Sequence, residues 1–130
     1  MRIVTVLCAA VMCGVLASGP ASAQDAADHW YGGEYRNCDG STVEVVECIR
    51  GLQDKWDGRL NAAYRTVMDA ETGAQRAALR TAQRGWITYR DANCAYYAGG
   101  EGTIARIEAA SCLYVLTRDR AQELEMMLGE

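Results

Sequence analysis

The chain has 130 residues, half of them hydrophobic, with 13 Lys and Arg against 17 Asp and Glu, for a net charge of −4. That length holds one modest hydrophobic core. The acidic balance argues against nucleic acid or an anionic membrane surface as a partner and permits attraction to a cationic protein.

Ile3 to Ala17 form an apolar run behind Arg2, too short to span a bilayer comfortably, and Ala21-Ser22-Ala23 supplies the small-residue box of a signal peptidase site. Residues 1–23 are therefore expected to be a signal peptide cleaved near Ala23, placing the mature protein in the periplasm or outside the cell. Ala10-Val11-Met12 before Cys13 lacks the pattern of a lipoprotein signal. Loss of the signal removes Arg2 and leaves 12 basic side chains against 17 acidic, a net charge near −5. Lys55 is the only lysine, and arginine suits bidentate pairing with carboxylates.

Residues 24–40 are polar and rich in glycine and aromatics, and they are expected to form an irregular N-terminal arm. Residues 41–130 read as a helical domain. Ser41 and Glu44 have the spacing of a capping box, followed by Ile49, Leu52, Trp56, Leu60, Ala63, Tyr64, Val67 and Met68 at three- and four-residue steps. Gly51 and Gly58 weaken this helix relative to alanine, which suggests close packing at both. Thr72 to Gln75 offers a second capping box. The second helix then carries Leu79, Ala82, Trp86, Tyr89 or Arg90, Cys94 and Tyr97 on adjoining stripes. Gly99-Gly100-Glu101-Gly102 stops it, through a left-handed glycine. A third helix from Thr103 turns Ile107, Ala110, Tyr114, Ala121, Leu124 and Leu128 inward. No strand-like alternation of useful length competes, so the fold class is all-α, a small antiparallel three-helix bundle with disulfides.

Four cysteines remain after signal removal: Cys38, Cys48, Cys94 and Cys112. An even number in an exported chain points to disulfides, and the absence of tight C-x2-C spacings argues against zinc. Three pairings are possible. Cys38–Cys48 and Cys94–Cys112 are favoured because each pair is close along the chain.

Leu60-Asn61-Ala62-Ala63-Tyr64, the run Leu79 to Cys94 containing Ala82-Gln83-Arg84, Trp86 and Tyr89-Arg90-Asp91, and Cys112 with Thr117-Arg118 resemble the LprI-like lysozyme inhibitor family. Cys38 and Cys48 resemble its upstream cysteine pair. The resemblance covers about Cys38 to Leu128 and implies a secreted helical domain and inhibition of a lysozyme-type muramidase. Within the motif, Asn61, Arg84, Arg90, Asp91 and Arg118 read as a structural polar network that fixes helix register, with Tyr64, Trp86 and Tyr89 packed around it.

Catalysis finds little support. His29 is the only histidine and lies in the arm, and there is no H-E-x-x-H, phosphate loop or G-x-S-x-G. Acid pairs such as Asp54 with Asp57 and Glu44 with Glu47 read as solvated helix faces. No catalytic residue, cofactor or metal is expected. Inhibition needs only a rigid surface bringing donors and aromatic rings into a muramidase cleft. Two segments fit: the arm, with His29, Trp30, Tyr31 and Arg36, and the glycine turn, with Tyr96, Tyr97 and Glu101. A monomer that binds a lysozyme-type protein is the first expectation, and a periplasmic adaptor or envelope-stress protein without lysozyme activity is the rival.

Overall fold

Helix α1 begins where Ser41 caps it. The Ser41 hydroxyl accepts from the Glu44 amide at 3.4 Å, and the Glu44 carboxylate accepts from the Ser41 amide at 2.8 Å, so the capping box is closed in both directions. In this computed structural model, which describes residues 31–129, α1 runs Thr42–Ala70, α2 Gly73–Ala98 and α3 Ile104–Met127. The expected signal (1–23) and the arm through His29 and Trp30 lie outside the described residues. No helix among those described is long and apolar enough to cross a membrane.

The layering departs from a symmetric bundle. α3 packs along both α1 and α2, which otherwise touch each other only marginally. The sequence of α3 explains its central place. Its buried positions, including Ala105, Ala110, Ser111, Tyr114, Thr117, Ala121 and Leu124, cover most of the helix circumference instead of one stripe. The small ones among them, Ala105, Ala110, Ser111 and Ala121, allow neighbours to approach closely. The main core joins Val46, Ile49, Trp56, Leu60 and Ala63 of α1 to Ala110, Tyr114, Ala121 and Leu124 of α3. Arg59 reinforces that seam: it lies 3.9 Å over the Trp56 ring and donates to Glu125 at 2.9 and 2.7 Å.

α2 is attached more lightly. Only Gln83 and Cys94 are fully buried, and the inward row runs Leu79, Gln83, Trp86, Arg90, Asn93 and Cys94. Ala82 and Tyr97, placed on the inward stripes from sequence, are exposed, and of the alternatives Tyr89 or Arg90 it is Arg90 that turns inward.

Local expectations needed revision. Thr72 makes no side-chain cap, so the second capping box does not form; Gly73, at φ 53°, turns the chain there instead. Gly99 is right-handed at the end of α2, and the left-handed glycine of the turn is Gly102, at φ 74°. Gly51 and Gly58 face open space, so close packing does not account for them.

The described part of the arm, from Tyr31 on, is docked against the helices. Gly33–Asn37 forms a 3-10 helix. Glu34 accepts hydrogen bonds from Lys55 and, at 3.2 Å, from the Trp56 indole. Tyr114 donates its hydroxyl to the Tyr31 carbonyl at 2.7 Å, and Ser111 donates to the Tyr35 hydroxyl at 3.3 Å. Cys38 bonds to Cys48, tying the arm to α1, and Cys94 bonds to Cys112, tying α2 to α3.

Candidate functional site

Residues four apart on a helix share a face, and α2 ends with two such steps: Tyr89, Asn93, Tyr97. On antiparallel α3, Glu108, Cys112 and Leu116 repeat the same spacing. The two rows border one cleft of about 350 Å³, with Ser111 and Val115 completing the α3 wall and Tyr31 closing it from the arm. Tyr89, Tyr97 and Tyr31 are 57%, 39% and 36% exposed, so three phenol rings are open to solvent around one opening. The Tyr31 ring stacks on Tyr35 at 4.6 Å, which together with the Tyr114 bond fixes its position.

The Cys94–Cys112 bridge forms part of this construction. Asn93 donates its side-chain amide to Cys112 Sγ at 3.3 Å, and the two bridged Cα atoms are 5.5 Å apart. Burial pushes the Tyr31 hydroxyl above its ordinary pKa, and the neighbouring Tyr35, Glu108 and Tyr97 push in the same direction.

The two segments singled out from sequence meet here in part. Tyr31 of the arm and Tyr97 at the end of α2 line the same cleft. Tyr96, 80% exposed, stands edge-on to Tyr97 at 5.4 Å and borders a more open neighbouring hollow that also reaches Glu108. Arg36 is exposed on the 3-10 helix and Glu101 is exposed in the turn, and neither lines the cleft. His29 and Trp30 are outside the described residues. Sequence reasoning missed Asn93 and Glu108 and gave Tyr89 a packing role. The four-residue spacing of Tyr89, Asn93 and Tyr97 was the available signal.

Among the described residues, the bonds of the polar motif residues do not join them into one network. Asn61 donates to the Asp57 carbonyl and carboxylate at 2.9 and 2.8 Å, and Arg84 reaches Thr81 at 3.5 Å. Arg90 pairs with Asp91 at 2.7 Å beneath Trp86, and Arg118 with Asp119 at 2.7 Å. These bonds stay within their own helices because Asn61, Arg84 and Asp91 fall on exposed phases. Besides the bond from Asn93 to Cys112, a buried polar contact crosses from α2 to α3 at Gln83, which accepts from Arg120 Nε at 3.0 Å while Arg120 also pairs with Glu123. Among the described residues no group of three His, Cys, Asp or Glu side chains is placed to hold a metal.

The motif that spans α1, α2 and the start of the α3 core carries a family signature. The family model described as Lysozyme inhibitor LprI matches residues 36–124. The chain belongs to the LprI lysozyme inhibitor family. Within the LprI match lie both cleft-bordering helix rows and all four bridged cysteines, while Tyr31 precedes it. An uncharacterized protein of Rhizobium meliloti is similar to this chain, 32% identical over 100 residues, covering 73% of this chain and 66% of the relative. This chain thus spans just under two thirds of that relative's length. No solved structure matches.

Proposed function

We propose that this protein is exported, acts as a monomer, and inhibits a lysozyme-type muramidase by covering its catalytic cleft with the edge formed by Tyr31, Tyr89, Tyr96 and Tyr97. One observation carries the reading. The arm and the end of α2, far apart in sequence, bring Tyr31 and Tyr97 to the border of a single cleft, and Tyr89 and Tyr96 extend the aromatic surface on either side. Membership of the LprI family supports the choice of partner. Rigid aromatic side chains contribute large contact area with few rotors to immobilise, which favours them in the centre of an interface. A muramidase works with two carboxyl groups in a groove, so occlusion alone stops it and no chemistry by the inhibitor is needed. A mature charge near −5 steers encounter with a cationic muramidase.

The test is clearing of a cell-wall suspension by lysozyme in the presence of purified mature protein with both bridges formed. The expected result is dose-dependent slowing, weakened by roughly 30-fold or more in Tyr89→Ala/Tyr97→Ala, since the two aromatic contacts together contribute about 2 kcal/mol or more. Undiminished clearing at excess protein would sink the inhibitor reading and leave an adaptor role in the envelope.

A further inference from the structure

We infer that the cleft between Tyr31, Tyr89 and Tyr97 receives a single cationic side chain, an arginine or lysine of the muramidase, with Glu108 as its counter-charge. This deepens the proposed function and rests on it for the identity of the partner.

Charge and chemistry both point to a cation. Three phenol rings border the cleft, and the face of an aromatic ring attracts cations through its quadrupole. Among the described residues Glu108 is the only carboxylate along the border, and no lysine, arginine or histidine of those residues lines it. Glu108 is exposed and has no ion-pair partner among the described residues, so its charge is not already neutralised. Arg90, next to Tyr89 in sequence, is held by Asp91 and Trp86.

Two polar side chains of the wall have donors engaged internally. Asn93 donates to Cys112 Sγ and Ser111 donates to Tyr35, which reduces what the cleft offers to the hydroxyls of a sugar. Val115 and Leu116 supply apolar surface for the methylene stem of arginine or lysine, whose charged head would then lie at Glu108.

The experiment titrates the mature, disulfide-bonded protein with the blocked tripeptide acetyl-Gly-Arg-Gly-amide, following the Asn93 side-chain amide and the Val115 and Leu116 methyls by NMR. The neutral acetyl-Gly-Gln-Gly-amide and a trisaccharide of N-acetylglucosamine serve as comparisons. Saturable shifts with the arginine peptide alone are expected, weakened about two- to fivefold by Glu108→Gln and by Tyr97→Ala. Both residues are exposed, so retained helicity is expected in each variant. Equal shifts with both peptides, shifts with the trisaccharide alone, or none with any probe would overturn the inference. The clearing assay separates the two readings. Peptide binding without lysozyme inhibition removes the partner and leaves the cation site; inhibition that survives Glu108→Gln, with no peptide binding, removes the cation site and leaves the inhibitor.

Discussion

Replacing Cys94 and Cys112 together by alanine should both destabilise the fold and loosen α2. The bridge closes a loop with a sequence separation of 18. The loop-entropy relation for such a closure gives about 3.2 kcal/mol at 25 °C. For a domain of roughly 100 residues, each kcal/mol shifts Tm by about 4–8 °C, so the variant should melt about 13–25 °C lower. The structural consequence should be uneven. α1 keeps its long apolar seam with α3, whereas α2 buries only Gln83 and Cys94 fully and loses one of those anchors. Calorimetry gives the global loss, and amide hydrogen exchange gives its distribution: α2 amides should lose protection well before those of α1. The wall of the tyrosine cleft runs through Cys112, so inhibition should fall even at temperatures where the variant is folded. A Tm change below about 3 °C, or α2 amides as protected as those of α1, would refute the view that this bridge holds α2 in place.

Gly51 and Gly58 meet nothing within 4 Å where a Cβ would be added, so Gly51→Ala and Gly58→Ala should each stabilise by about 0.5–1 kcal/mol in urea unfolding. Gln83→Ala leaves the buried Arg120 Nε without its acceptor and should cost about 2 kcal/mol, while Gln83→Leu/Arg120→Met should cost much less because no buried charge is stranded. The hydrogen bond from Lys55, more than burial opposes, holds the Glu34 carboxyl below its ordinary 4.5. Its contribution is therefore present above that value and lost as pH falls through the lower folded pKa; Glu34→Gln should flatten the acid limb of a Tm-against-pH curve, modestly, because the pair is solvent-exposed.

The helices were legible because their signals are local. Ile49, Trp56, Leu60 and Ala63 recur at helical spacing and are buried as a row, and Ser41 with Glu44 forms the box its spacing implies. The cysteine pairing followed from the proximity of each pair along the chain. The failures arose where a choice depends on neighbouring elements. Thr72 and Gln75 have the right spacing for a cap, but a left-handed Gly73 takes the chain into α2 by a different path. Arginine in a motif suggests a shared network, yet whether Arg84 or Gln83 faces α3 turns on a rotation of one residue along α2, which composition does not determine. The row Tyr89, Asn93, Tyr97 was readable as one face; that Glu108 stands beside it depends on the antiparallel alignment of α2 with α3 and on the docking of Tyr31 by Tyr114.

The central position of α3 also separates stability from recognition. Because α1 and α2 pack on α3 and barely on each other, the core that holds the fold lies on the α1 side, and the outer flank of α2 is free to carry exposed aromatics. Tyr89 and Tyr96, at 57% and 80% exposure, bury too little surface to matter much to folding. Alanine at either position should change the unfolding free energy by no more than about 0.5 kcal/mol. If the flank is an interface, the same substitutions should weaken inhibition by tenfold or more, since an aromatic at an interface centre contributes far more on binding than it does here on folding. Urea unfolding and the clearing assay on one pair of variants give both quantities. Losses of stability in proportion to losses of inhibition would show that these rings serve the fold after all, and the division of labour between the two sides of α3 would have to be abandoned.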